Sequence, residues 1–255
     1  MTHIVYFSGT GNTLWSAKKL AEALGADVSL YNAAALLRSG TALPDAERLV
    51  IMFPAYAFGT PQVIRRFLQS AVFNAPYIAA LVTHGTHYGA ALDQVGVLLK
   101  RRRLRLAYGA GIPCVENYIA LFGAPVPRIV EQRLALQREA TERAARAIGA
   151  GATNRSRFFF PPALFVNALF RRGKSLFIKK YAVSAACNGC GLCARICPVC
   201  AITIDAGHPV FAPVCEHCQA CINWCPCQAI SFLRAQPGTP RYHHPEISAG
   251  EMQHG

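Results

Sequence analysis

The feature that most constrains this chain is a cysteine block that occurs twice. Cys187-x2-Cys190-x2-Cys193-x3-Cys197-Pro198 is followed by Val199-Cys200-Ala201-Ile202. Shifted by 28 positions, Cys215-x2-Cys218-x2-Cys221-x3-Cys225-Pro226 is followed by Cys227-Gln228-Ala229-Ile230. Four Cys, a Pro, an Ala and an Ile recur in register, so this stretch is an internal repeat. Of 11 cysteines, only Cys114 lies outside the span Cys187 to Cys227. An odd, clustered set in a reducing compartment argues for metal ligation rather than a disulfide framework. Structural zinc uses paired CxxC units, which leaves three cysteines at x2 spacing, then x3 and Cys-Pro, unexplained. Three cysteines on one tight loop reach three irons of a cubane cluster, and the fourth, before Pro, is carried to the other cluster. The expected ligand sets are Cys187, Cys190, Cys193 and Cys225 for one [4Fe-4S] cluster and Cys197, Cys215, Cys218 and Cys221 for the second.

The rest of the chain is organised differently. With 255 residues and 53% apolar content, it can bury a substantial core. Its first 120 residues alternate strand-like and helix-like stretches. HIVYFS, DVSLYN, RLVIMFPA, PYIAALVTHG and RLAYGAGIP read as strands. Helical spacing appears over Asn12 to Leu24, Pro61 to Val72 and Tyr88 to Leu98. Strands from Leu49 and Ile78 are apolar on both faces, as buried parallel strands are. The alternation predicts a doubly wound α/β sheet of five parallel strands. A further helix is expected from about Arg128 to Ile148. The expected organisation is an α/β domain over 1–150, a basic and aromatic connector over 151–181, a small α+β cysteine domain over 182–236, and a polar, loosely ordered tail over 237–255.

At the end of the first strand the chain places Ser8-Gly9-Thr10-Gly11-Asn12-Thr13, immediately before a helix. Backbone N–H groups at a helix N-terminus bind anions, glycines allow close approach, and the hydroxyls of Ser8, Thr10 and Thr13 are further donors. A triphosphate loop requires Gly-Lys-Ser/Thr, and here Asn12 follows Gly11. A dinucleotide fingerprint requires a third glycine where Leu14 stands. Two more segments lie at carboxyl ends of strands, where open α/β sheets bind ligands. They are Pro54-Ala55-Tyr56-Ala57-Phe58-Gly59 and Thr83-His84-Gly85-Thr86-His87-Tyr88-Gly89.

The glycine and hydroxyl pattern resembles the phosphate loop of flavodoxins, and the cysteine block from about Ala182 to Arg234 resembles a bacterial-type two-cluster ferredoxin. Together they resemble the prokaryotic family in which a flavodoxin-like domain is fused to a C-terminal ferredoxin domain. That resemblance implies FMN plus two [4Fe-4S] clusters, with the FMN phosphate on residues 8–13. It implies the flavin ring between the other two loops, with Tyr56, Phe58 and Tyr88 as aromatic candidates and the backbone of Thr83, His84, Gly85 and Gly89 near its polar edge. His84 and His87 read either as surface side chains or as proton donors to reduced flavin.

The chain departs from that family in charge. Its formal net charge is +13, whereas flavodoxins and ferredoxins are commonly acidic. Residues 100–180 hold seventeen Lys+Arg against four Asp+Glu, the whole surplus. Lys100-Arg101-Arg102-Arg103-Leu104-Arg105 reads as a solvated helix end, where cations are favoured. In the connector, Arg171, Arg172, Lys174, Lys179 and Lys180 interleave with Phe170, Leu176, Phe177, Ile178 and Tyr181. Three readings stay open for 170–181: packing between domains, contact with an anionic membrane surface, and docking of an acidic redox partner. Nucleic acid is not expected, because no recognition motif accompanies the charge. No apolar run reaches a membrane span and the N-terminus has no signal-peptide pattern, so a cytoplasmic location is the default expectation. The function expected is an electron carrier passing electrons between FMN, two clusters and a partner. The alternatives are a flavin-dependent reductase fed by its own clusters and a redox-responsive module binding an anionic partner.

Overall fold

The computed structural model describes residues 1–154 and 161–253. The stretch 155–160, within the predicted connector, and residues 254–255 lie outside the described residues. Five strands form one parallel sheet: β1 (Thr2–Tyr6), β2 (Val28–Asn32), β3 (Arg48–Pro54), β4 (Tyr77–His84) and β5 (Tyr108–Pro113). Their order is β2-β1-β3-β4-β5, with every neighbouring pair parallel. Five strands were expected, and five are present. The reversal of order between β1 and β3 makes a switch point, with a crevice beyond the strand ends.

Helices α1 (Asn12–Leu24), α2 (Ala33–Ser39), α3 (Gln62–Ser70), α4 (Ala91–Arg101) and α6 (Pro127–Gly149) accompany the sheet, while the short α5 (Ile119–Phe122) packs on the cysteine-rich region. Strands β3 and β4 are buried along nearly their whole length, as continuous apolar runs require. One sheet face packs Ile4, Val50, Met52, Ala79 and Leu81 against Ala17 and Leu20 of α1 and Ala144 and Ile148 of α6. The other packs Val5, Ile51, Phe53, Ala80 and Val82 against Ile64, Phe67 and Leu68 of α3 and Leu92, Val95 and Leu99 of α4. Helix α2 has no counterpart in the sequence expectations. Its cap explains it: Asn32 Oδ1 accepts from the N–H groups of Ala34 at 2.9 Å and Ala35 at 3.1 Å.

The connector is helical over 161–180, with α7 (Pro161–Gly173) followed by a 3-10 helix at Lys174–Lys180. Beyond it lie two short antiparallel pairs. Strand β6 (Tyr181–Val183) pairs with β9 (Ile230–Phe232), and β7 (Ile202–Asp205) pairs with β8 (His208–Phe211). Two one-turn helices, α8 (Leu192–Arg195) and α9 (Ala220–Asn223), complete the cysteine-rich region.

The sequence repeat is a repeat of backbone too. Each short helix follows a left-handed residue, Gly191 at φ 69° and Gln219 at φ 62°. Cys200 at φ 51° matches Gln228 at φ 49°, and Gly189 at φ 70° matches His217 at φ 54°.

Residues 242–252 are not the loose tail expected from their polarity. Tyr242, His244, Ile247 and Met252 are buried. They form a strap across the start of α1, held by His244 N–H to Thr10 O at 2.8 Å and Tyr242 O–H to Asn12 Oδ1 at 2.9 Å. Polar composition misled here because the order comes from a few tertiary anchors, not from any periodic apolar face.

Candidate functional site

The segment from Phe7 to Thr13 leaves β1 and enters α1 with its polar side chains turned inward. Ser8, Thr10, Asn12 and Thr13 are buried. Gly11 adopts φ 94°, a left-handed conformation that favours glycine, and stands at the helix start with no side-chain cap. No acidic residue occupies the first turn. The positive end of the helix therefore faces the loop without a built-in counter-charge.

The loop side chains are mostly spoken for. Thr13 Oγ1 bonds Thr83 Oγ1 at 2.7 Å, Asn12 Nδ2 donates to Val115 O at 3.1 Å, and Asn117 Nδ2 donates to Thr10 Oγ1. Ser8 Oγ is buried with no partner. A buried hydroxyl left unpaired at an uncapped helix start fits an anion acceptor, because an unsatisfied group of that kind is costly otherwise.

A cleft of about 370 Å³ opens here. The sequence-predicted residues it gathers are Ser8, Gly9, Thr10, Asn12, Thr13, Pro54, Ala55, Tyr56, Thr83, His84 and Gly85. The other predicted residues stand beside it. Gly11 lies beneath His244 and Ile247 of the strap. Ala57 and Phe58 form a left-handed turn closed by Tyr56 and Gly59, which exchange two backbone hydrogen bonds of 3.0 Å. Phe58 is 44% exposed, and its backbone presses on Gly89. Tyr88 packs over Gly111, stacks on His87 at 5.0 Å and meets His84 edge-on.

Cys114, Val115, Glu116 and Asn117 line the cleft and were not among the expected site residues. They follow β5, and the rule that ligands bind beyond carboxyl ends of parallel strands would have pointed to them.

Burial keeps three titratable side chains at the cleft, His84, Cys114 and Tyr56, uncharged. Burial, then repulsion from His87 and Arg133, lowers the His84 pKa to about 4. His84 is thus a neutral imidazole near pH 7, which does not suit it to supply a proton as an acid. Burial also pushes the Cys114 thiol and the Tyr56 phenol well up, so both stay protonated.

The eight repeated cysteines gather as two groups. Cys187, Cys190, Cys193 and Cys225 line a surface pocket of about 360 Å³, joined by Cys227. Cys197, Cys215, Cys218 and Cys221 lie inside, close enough that charge on one thiol raises the pKa of others. Burial is the larger cause for each of them. Backbone N–H groups point at sulfur in both repeats: Ala201 to Cys197 Sγ at 3.2 Å and Ala229 to Cys225 Sγ at 3.3 Å. His217 N–H does the same to Cys215 Sγ at 3.3 Å. Such donors stabilise thiolate and tune whatever it ligates. Among the described residues, no three His, Cys, Asp or Glu side chains converge on a point that would hold a single metal ion.

The interior cysteine group abuts the cleft. A Cβ added to Gly9 would lie 2.7 Å from Cys218 O and 3.1 Å from Tyr56 Oη, so the loop backbone touches the cysteine loop directly. Trp224 Nε1 donates to Gly9 O at 3.2 Å, and Asn223 Nδ2 donates to Asn117 O at 3.2 Å. The same buried cluster that covers the sheet contains Ile196, Cys218, Ala220 and Trp224.

No protein-family model and no curated protein matches this chain. Among solved structures, it is similar to the two-electron reduced flavodoxin of Megasphaera elsdenii, at 20% identity over 58% of this chain and 100% of that one, with a TM-score of 0.37. A flavoprotein of Bacteroides uniformis described as putative is 18% identical over 57% of this chain and 97% of its own, with a TM-score of 0.39. A flavodoxin from the domain Archaea is 13% identical over 57% and 98%, with a TM-score of 0.32. The fold assignment rests on the sheet itself: five parallel strands ordered 2-1-3-4-5 make a flavodoxin-like α/β fold, followed by a cysteine-rich C-terminal region.

Proposed function

We propose that this chain is an electron-transfer protein holding FMN in the cleft above residues 8–13 and two [4Fe-4S] clusters on the two cysteine groups. Bound there, FMN supplies a carrier of one or two electrons and each cluster a carrier of one. The observation that carries the reading is the direct packing of Gly9 against Cys218 and Trp224. It sets the interior cysteine group beside the anion loop, within one shared core.

The chain's own residues divide the work. Ser8 Oγ, the N–H groups opening α1 and the hydroxyls of Thr10 and Thr13 would hold a phosphate by dipoles alone. Tyr56, protonated throughout the ordinary pH range, sets its hydroxyl against Gly9 beside Cys218. Cys187, Cys190, Cys193 and Cys225 face the surface, where a redox partner can approach. Cys197, Cys215, Cys218 and Cys221 are shielded from water. Three cysteines at x2 spacing followed by x3 and Cys-Pro, twice, suit a cubane better than one zinc ion, whose structural sites use paired CxxC units. A reductase reading gains nothing from His84, which burial keeps neutral.

The test is cofactor content of protein purified without oxygen: iron, acid-labile sulfide, released flavin and the absorbance spectrum. About eight iron, eight sulfide and one FMN per chain are expected for two cubanes and one flavin. Iron and sulfide without FMN after reconstitution would overturn the cleft assignment. Zinc without sulfide would overturn the cluster assignment.

A further inference from the structure

Helix α7 is built the wrong way round for a helix in water. Its inward face carries Ala163 and Asn167, the latter a buried amide donating to Tyr56 O at 3.1 Å and accepting from Gln94 Nε2 at 3.0 Å. Its outward face carries Leu164, Phe165 and Leu169, with Phe165 71% and Leu169 62% exposed. The 3-10 helix after it continues the pattern with Leu176, 76% exposed, and Phe177. A surface helix ordinarily turns its apolar stripe to the core, and a contiguous exposed apolar patch marks an interaction site.

The same patch is basic. Arg171, Arg172, Lys179 and Lys180 are exposed, and no acidic residue lies between Pro161 and Tyr181. Arg65 of α3 is held below its ordinary range by burial and then by repulsion from Arg171 and Arg101. Three guanidinium groups from three helices are therefore gathered at this edge. Among the described residues, none of the three is in an ion pair. Lys174 is the exception in the segment, paired with Glu216 at 3.0 Å, and that pair fastens the segment to the cysteine loop.

We infer that α7 and the following 3-10 helix lie on an anionic lipid bilayer, with Phe165, Leu169 and Leu176 entering the headgroup boundary and the surrounding cations facing acidic lipid. Charge complementarity joined to apolar exposure meets the two requirements of an interfacial helix. A protein partner would have to offer acidic and apolar surface in matching register, whereas an anionic bilayer offers both everywhere along its boundary. No helix among the described residues is long and apolar enough to cross a membrane, so the contact is one of lying on the surface. The inference does not rest on the electron-transfer reading. It adds to it that the face carrying Lys174 and Glu216 would bring the interior cysteine loop close to the bilayer.

The test is co-sedimentation of the full, cofactor-loaded chain with vesicles of phosphatidylcholine alone or with about one-third phosphatidylglycerol. Binding to the anionic vesicles is expected to be at least about tenfold stronger and to fall as salt shortens the screening length. The pair Arg171→Glu and Arg172→Glu is expected to weaken it more than about tenfold, each cation near the surface being worth about fivefold. The pair Phe165→Ser and Leu169→Ser keeps the charge, touches only exposed positions and is expected to weaken it by a similar factor. The variant Phe165→Trp is expected to shift its emission to the blue on anionic vesicles alone. Absence of vesicle binding, or unchanged binding by the serine pair, overturns the inference. So does binding to an acidic polypeptide or to nucleic acid with none to vesicles, which would assign the patch to another partner class.

Discussion

At the scale of single residues, Gly9 and His244 carry the clearest consequences. Gly9 is a glycine for lack of room: its missing Cβ would meet Cys218 O at 2.7 Å and Cys218 Cβ at 3.0 Å. Two backbones meet there, so neither yields cheaply. The variant Gly9→Ala is expected to lose about 1–3 kcal/mol of stability, as overpacked positions do, seen as a lower Tm. The comparison variant Gly149→Ala, whose Cβ would meet only Leu24 Cδ2 at 3.7 Å, is expected to melt like the parent or slightly above it.

His244 stacks on Trp15 at 4.9 Å, and burial lowers its pKa to about 4. Glu246 pulls that value back up, while Arg138 and His243 push it further down. Unfolding restores an ordinary value of 6.5, so the unfolded chain binds the extra proton first. Stability from His244 is complete above about pH 6.5 and is lost as pH falls from there toward 4. His84 titrates in the same direction over the same window. A tenfold difference in proton affinity between the folded and the unfolded chain is worth about 1.4 kcal/mol. Thermal melts from about pH 7.5 down to 5 should show Tm falling with pH, and His244→Phe should flatten the slope. An unchanged slope in that variant would mean the strap does not depend on a neutral ring.

At the scale of elements, α7 is located by one amide. Asn167 satisfies Tyr56 O and receives Gln94, whose Oε1 in turn accepts from Thr60 N–H at 2.9 Å. The variant Asn167→Ala removes both bonds, leaves Gln94 Nε2 without its acceptor and Tyr56 O with Gly59 N–H alone, and should cost about 1–3 kcal/mol. Trypsin cleavage at Arg171 and Arg172 should quicken with it. Unchanged proteolysis would mean that the apolar contacts of Ala163 hold the helix without the amide.

Elements also show where sequence was legible. Helix α1 spans the residues its spacing predicted, because a thirteen-residue amphipathic run with a glycine stop leaves little choice. Strands β3 and β4 were readable because burial on both faces writes unbroken apolar runs. Helix α2 was not, since seven residues are too few for a period and its only signal was the capping Asn32. The site divides likewise. The loop at 8–13 announces itself by composition. Glu116 and Asn117 reach the cleft only through the position of β5, and Tyr242 and His244 reach the loop at 8–13 only through a tertiary anchor that no spacing encodes.

At the scale of the whole molecule, the cysteine region and the α/β region share a core, and this makes the two cysteine groups unequal. Cys218 belongs to the buried cluster that covers the sheet, and Trp224 beside it is bonded to Gly9. Cys190 is exposed at the rim of a surface pocket. If each group holds a cluster, removing one ligand from each should have different reach. Metal binding is folding energy wherever the site does not exist in the unfolded chain, so either loss should reduce iron content by about half. The variant Cys190→Ser loses its cluster at the periphery, and flavin content and the melting of the α/β region should stay near the parent. The variant Cys218→Ser loosens the loop that Gly9 packs on. It should lower Tm, release flavin and expose Trp224, whose emission would move to the red. Iron, flavin and tryptophan emission measured on the same samples separate the cases. If both variants lose flavin equally, the interface does not transmit the state of the interior group. If neither does, the cleft is held by the α/β region alone and the packing of Gly9 on Cys218 is a docking contact only.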